Sequence, residues 1–210
     1  MEIKGAIFDL DGTLLDSLWV WAEIDRRFLN KRGIEVPPWY AEAISAMTFR
    51  DVAIYTIETF GLNESPDDVM KEWMDMSHRI YATEIKLKPK AKEFLLALKS
   101  KGIKLGIATS SAEDLYMPAL KNNGIDDLFS VIMDTSTTRS KAFPDIFIAV
   151  ADRMGLKTSE CVVFDDLPAA LRSAKQGGCV TVAVHDEHTK DFDEANYSVK
   201  SFDELLGFII

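Results

Sequence analysis

Hydrophobic and polar positions give this chain two textures. After residue 89, apolar runs of strand length alternate with amphipathic stretches: 104–108, 112–123, 131–133, 144–154, 162–164, 169–176 and 180–184, closed by a strand-like 197–199 and a helical 202–208. Such alternation is the pattern of βαβ units, whose crossover helices cover both faces of a parallel sheet. The N-terminal run Ile3-Lys4-Gly5-Ala6-Ile7 has the length and Ile content of a further buried strand. The expected fold class is therefore α/β, a doubly wound parallel sheet.

The stretch 17–88 reads differently. It is rich in Trp, Met, Tyr and charge and lacks strand alternation. It predicts helices over 18–32, 49–60 and 67–83, the first capped by Asp16 or Ser17 and stopped by Gly33, the second set between Thr48 and Gly61. The expected organisation is a core of 1–16 and 89–210 with a helical insertion of 17–88. Leu15-Asp16-Ser17 and Ile85-Lys86-Leu87-Lys88-Pro89 would be its two hinges. Trp19, Trp21, Trp39, Tyr40 and Trp73 are expected to form the core of the insertion.

Candidate chemistry gathers where the strands end. Phe8-Asp9-Leu10-Asp11-Gly12-Thr13 puts carboxylates at i and i+2 of an extended segment, so Asp9 and Asp11 can address one small volume. Two anions that close repel unless one is protonated or a cation lies between them. A hard divalent cation such as Mg²⁺ fits oxygen ligands of this kind. One carboxylate could then attack phosphorus while the other handles the leaving-group proton. The alternative is a pair of solvated loop aspartates. A second acidic pair, Asp165-Asp166, ends the run Cys161-Val162-Val163-Phe164. Thr109-Ser110-Ser111 leaves another strand-like run, with Ser111 in the position of a helix N-cap. Lys141 precedes a predicted helix, with Arg139 as a competing cation.

Taken in order, these segments are similar to the signatures of the haloacid dehalogenase (HAD) superfamily of phosphotransferases. Asp9-Leu10-Asp11-Gly12-Thr13-Leu14 resembles the first signature, Thr109 matches the second, Lys141 the third and Asp165-Asp166 the fourth. The resemblance implies catalytic Asp9, Asp11, Thr109 and Lys141, with Asp9 as nucleophile and Asp11 as acid and base. It implies phosphate binding by Thr109, Ser110 and Lys141, and a Mg²⁺ site drawn from Asp9, Asp11, Asp165 and Asp166. The insertion looks like the helical cap of the subgroup containing β-phosphoglucomutase and phosphoglycolate phosphatase, in which Trp21, Thr48 and Arg50 would contact substrate. Some positions depart from the pattern. Ser140 and Ala142 stand where Gly and Pro are common, Leu167 and Ala170 where Ser and Gly are common, and Trp21 where mutases of the subgroup carry a relay His. Indole cannot relay a proton at neutral pH, which favours a phosphatase over a mutase. A non-catalytic binding or regulatory protein on the same scaffold is a third reading.

Bulk properties narrow the partners. A net charge of -10 argues against a general nucleic-acid binder, which would show a basic face. No apolar run is long enough to span a bilayer, and Met1-Glu2-Ile3-Lys4 leads directly into the first strand without a signal pattern, so the cytoplasm is expected. Cys161 and Cys179 lie in apolar runs and are expected as buried free thiols. His78, His185 and His188 lack ligand spacing and are expected at the surface or an edge, although His185-Asp186-Glu187-His188 is polar enough to hold a metal adventitiously. The expected partner is a small phosphorylated metabolite, with no nucleic acid and no membrane, acting on a monomer or weak dimer.

Overall fold

The computed structural model describes residues 2–185 and 195–209. They fall into two compact units, one of Met1–Ser17 with Ile85–Ile210 and one of Leu18–Glu84. His188 and its neighbours Asp186 and Glu187 lie outside the described residues.

The first unit is built on a six-stranded sheet: β1 (Gly5–Phe8), β4 (Lys104–Thr109), β5 (Val131–Asp134), β6 (Cys161–Asp165), β7 (Val180–Val184) and β8 (Tyr197–Val199). Their order is β5-β4-β1-β6-β7-β8, and every neighbouring pair is parallel. The expected doubly wound α/β sheet is thus the observed one. Helices α5 (Ala91–Ser100), α6 (Glu113–Asn123), α7 (Asp145–Arg153), α8 (Pro168–Gln176) and α9 (Phe202–Ile209) connect or flank the strands. β1 is buried along its whole length because strands pair on both its edges and helices cover its faces. Gly106 in β4 is dictated by this packing: a Cβ there would meet Val150 Cγ1 of α7 at 2.7 Å. Cys161 and Cys179 are both free and buried, as expected.

The registers decide where function can sit. Phe8 of β1 pairs with Ile107 of β4 and Phe164 of β6, so the three strands leave the sheet together at their carboxyl ends. Asp9, Thr109 and Asp165 emerge there, at the edge where open α/β sheets place ligands.

The second unit holds α1 (Val20–Asn30), α2 (Tyr40–Ile44), α3 (Phe49–Phe60) and α4 (Pro66–Thr83). The short α2 was not legible in the sequence, because five residues are too few to display a helical period. α3 begins at the expected Thr48 cap, whose hydroxyl accepts the Asp51 N–H, and ends at Gly61, whose φ of 63° suits the left-handed stop. The aromatic expectation needs correction. Tyr40 and Trp73 are buried, but Trp19, Trp21 and Trp39 are 36%, 46% and 48% exposed. The buried stripe of α1 is Val20, Ile24 and Phe28 at i, i+4 and i+8, and Trp21 stands one position, hence about 100°, off it. Trp19 and Trp39 occupy helix N-cap positions rather than the buried stripes.

In the first unit, residues 15–17 and 85–89 do more than link. β2 (Leu15–Asp16) and β3 (Lys86–Leu87) pair antiparallel, Leu15 with Leu87 and Asp16 with Lys86. Among the described residues, no helix is long and apolar enough to cross a membrane.

Candidate active site

Asp9 follows β1 directly, its N–H donating to Phe164 O of β6 at 2.9 Å, which locks the loop onto the neighbouring strand. Gly12, with φ of 81°, allows the chain to turn back, and the Gly12 and Leu15 amides close the loop on Leu15 O and Leu10 O. Asp9 is buried, as are Thr109, Lys141, Asp165 and Asp166. Carboxylates and an ammonium are rarely buried unless they serve one another or a ligand.

Lys141 joins them. Its Nζ donates to Asp9 Oδ1 at 2.6 Å and forms an ion pair with Asp165 Oδ2 at 2.5 Å. Its backbone carbonyl accepts the Ser173 hydroxyl at 2.5 Å, so α8 fixes the segment that delivers it. Arg139, the competing cation, is turned to the surface: it pairs with Asp145 and stacks over Phe143. One oxygen each of Asp9, Asp165 and Asp166 lies within 4.8 Å of the others, a group able to hold a metal ion.

Asp11 stands outside that group. Its two carboxylate oxygens accept from the hydroxyls of Ser17, at 2.6 Å, and of Ser111. Ser111, and Ser17 as the alternative to Asp16, were expected as helix caps. Neither acts as one: α1 and α6 begin at Trp19 and Ala112 without a side-chain cap. A Ser in a loop signals a local hydrogen bond, and sequence alone does not say that its acceptor is 100 residues away. Thr109 Oγ1 accepts the Ser111 N–H at 3.0 Å, which leaves its hydroxyl hydrogen to donate elsewhere. Ser110 is exposed at the same loop. Thr13 contributes a hydroxyl to Asp166 at 3.3 Å, and Asp165 Oδ1 accepts the Leu167 N–H. Thr13, Ser17, Ser111 and Ser173 are supporting groups that sequence reasoning missed.

Electrostatics shows what the cluster lacks. Burial, reinforced by Asp165 and Asp166, pushes the Asp9 carboxyl far above the ordinary carboxylate range despite the opposing pull of Lys141. Burial and the neighbouring Asp165 push Asp166 up to about 6, with Lys88 and Lys141 pulling down. Burial alone would lower the Lys141 ammonium, but Asp165 and Asp9 outweigh it and hold the pKa above its usual value. Three carboxylates thus meet one close ammonium, and further positive charge at their shared volume would favour all three ionised forms. The donor set, hard oxygens at close range, fits a divalent cation of the Mg²⁺ class.

The remaining candidates lie in the helical unit. Trp21 packs edge-to-face on Phe49, with ring centroids 5.6 Å apart. Thr48 caps α3 and donates its hydroxyl to Asp51. Arg50 makes an exposed ion pair with Asp67 at 2.6 Å.

Residues 6–184 match the model of a family described as haloacid dehalogenase-like hydrolase. Hexitol phosphatase A of Escherichia coli is 31% identical over 188 residues, covering 88% of this chain and 84% of its own length. The phosphorylated carbohydrates phosphatase of Thermotoga maritima is 25% identical, covering 84% of this chain and 82% of its own. Among solved structures, a Thermotoga maritima protein provisionally described as a β-phosphoglucomutase superposes with a TM-score of 0.89 at 24% identity, over 100% of both chains, which is a likeness of fold.

Proposed function

Since this chain belongs to the haloacid dehalogenase-like hydrolase family and is a phosphatase of it, we propose that it hydrolyses a small phosphomonoester with Mg²⁺ through an aspartyl-phosphate on Asp9. The observation that carries this reading is the buried convergence of Asp9, Asp165 and Asp166 on one volume, with Lys141 against it.

Asp9 and Asp166 would hold the metal directly, with Asp165 and the Asp11 segment completing the site that the resemblance implies. Bound there, Mg²⁺ would supply charge neutralisation for the carboxylates and the transferring phosphoryl group. In the first half-reaction an Asp9 oxygen attacks phosphorus, the bond to the leaving oxygen breaks with its electron pair, and Asp11 delivers a proton to that oxygen. In the second, water attacks the phosphorus, Asp11 takes the water's proton and the Asp9 carboxylate departs. The hydroxyl of Thr109, the Ser110 loop and Lys141 would bind the phosphoryl oxygens through both steps. Ser17 and Ser111, by holding both oxygens of Asp11, support a fixed orientation for its proton transfers. Asp165 aligns Lys141.

On the helical unit, Trp21, Thr48 and Arg50 are the proposed contacts to the substrate beyond its phosphoryl group. The exposed Arg50–Asp67 pair is weak enough to exchange for an anionic ligand group. The names of the relatives direct the first substrate panel to sugar and sugar-alcohol phosphates. Trp21, lacking any group to relay a proton, favours hydrolysis over phosphoryl return.

The test is Asp9→Asn assayed for phosphate release across such a panel with Mg²⁺. Turnover should disappear while circular dichroism keeps the wild-type fold, and EDTA should silence the wild type until Mg²⁺ is restored. A folded Asp9→Asn protein with substantial activity would remove Asp9 as nucleophile.

A further inference from the structure

The carboxyl end of the sheet carries a second ammonium group, one that the proposed reaction leaves unassigned. Lys88 follows β3 directly and is half-buried. Its backbone N–H donates to Leu14 O at 2.8 Å, and its Nζ donates to His185 O at 3.4 Å, just beyond the end of β7. Both anchors belong to segments that flank Asp166. On one side, Thr13, the residue before Leu14, donates its hydroxyl to Asp166 Oδ1 at 3.3 Å. On the other, Asp165 pairs with Ala183 of β7, which brings Asp166 beside the Val184–His185 end of that strand. Lys88 is thus tied to the surroundings of Asp166 through its main chain and through its side chain.

An ammonium in that place acts on two other ions with opposite sign. It repels a divalent cation entering among Asp9, Asp165 and Asp166, and it attracts the phosphoryl dianion that would meet the same cation. Its charge reaches the cluster, where it joins Lys141 in drawing the Asp166 carboxyl down. The balance of charge gives a second ammonium its use. Among these groups, three carboxylates and Lys141 leave a negative excess that one divalent cation cancels, so a dianion would arrive at a site with no net attraction. Lys88 supplies the positive surplus. Its neighbours Lys86 and Lys90 are exposed, and Lys90 pairs with Glu93 at 3.2 Å.

We infer that Lys88 is an electrostatic positioning residue of the phosphoryl-transfer site, one that weakens its hold on Mg²⁺ and strengthens its hold on the phosphoryl dianion. The inference rests on the Mg²⁺ reading of the site and extends it to a residue outside the four signature segments. A purely structural tether would behave otherwise. Losing it would loosen the segments around Asp166 and weaken both ions together, whereas losing a charge moves them in opposite directions.

The test is a pair of titrations on the full-length wild type, Lys88→Met and Lys88→Arg at low ionic strength. Mn²⁺ binding is read by electron paramagnetic resonance with Mg²⁺ as competitor, and inorganic phosphate binding by calorimetry at saturating Mg²⁺. Lys88→Met should bind Mg²⁺ about threefold to tenfold more tightly and phosphate about threefold to tenfold more weakly, both differences shrinking with added salt. Lys88→Arg, which keeps the charge, should stay within about twofold of wild type in both titrations. Circular dichroism checks the fold, and Lys88→Gln removes the same charge should Lys88→Met not fold. Unchanged affinities on loss of the charge, shifts of the same sign in both titrations, or a Lys88→Arg protein that behaves like Lys88→Met would each overturn the inference and leave the Mg²⁺ reading standing. A wild type that binds no divalent cation would overturn the Mg²⁺ reading, and this inference with it.

Discussion

In the unit that carries the candidate site, Lys141 meets Asp9 and Asp165 with side chains 5%, 8% and 0% exposed. In the helical unit, Arg27 meets Glu23 and Glu84 with side chains 20% to 38% exposed. The distances are alike, at 2.5 to 2.7 Å, but the energetics are opposite. An exposed pair loses little on forming and contributes little. A buried one carries a desolvation penalty that its attraction repays only when geometry and further hydrogen bonds are right. The lesson is that short ion pairs do not mark function by themselves. Function is marked where charge is buried in excess of its partners, as it is around Lys141; Asp25 of α1 is a milder case, half-buried, with desolvation raising its carboxyl to about 7.

Mutations can break that contrast. The largest effect is expected for Lys141→Met, which leaves Asp9 and Asp165 buried against each other. In EDTA it should lose about 3–5 kcal/mol of stability in a denaturant titration, and its phosphatase turnover should fall to background. Ser111→Ala comes next. It frees one oxygen of Asp11 without removing charge, and kcat should drop about 10-fold to 100-fold while KM and Tm stay near wild type.

Asp25→Asn tests the smaller excess by pH. The folded-state carboxyl titrates near 7, whereas an unfolded Asp titrates near its ordinary value of about 3.9. Between these values the folded state binds more protons, so ionising Asp25 costs stability as pH rises through the window. The variant should therefore melt a few degrees above wild type at pH 8, and the gap should close as pH falls toward 4. The smallest effect belongs to Arg27→Ala, at about 1 kcal/mol or less and shrinking with salt. A loss as large as that of Lys141→Met would erase the contrast.

Much of this molecule was legible before its coordinates. The strand ends carrying Asp9, Thr109 and Asp165 were visible because a buried parallel strand is a nearly unbroken apolar run, and a carboxylate ending it is conspicuous. Lys141 was favoured over Arg139 by its match to the third signature, and the structure brings it to the aspartates. Less was legible where one local signal serves two outcomes. Ser17 and Ser111 look like helix caps, and the choice of Asp11 as their acceptor depends on how distant loops meet. Trp19, Trp21 and Trp39 are large enough for a core, but a helix buries a stripe and not a composition. Asp25 gave no signal at all, since its raised carboxyl comes from how α1 packs and not from a local motif.

The ribbon of Leu15–Asp16 against Lys86–Leu87 has a consequence for the chain as a modular object. It brings the beginning and end of the 18–84 excursion side by side, at the separation of a hydrogen-bonded strand pair. The sheet therefore registers everything between those residues as one closed loop. Doubling the length of such a loop costs only about 0.6 kcal/mol. A scaffold closed in this way can exchange its excursion for another of different size with little thermodynamic penalty to the sheet. New specificities can be grafted through a single doorway while the aspartates beyond it stay where they are.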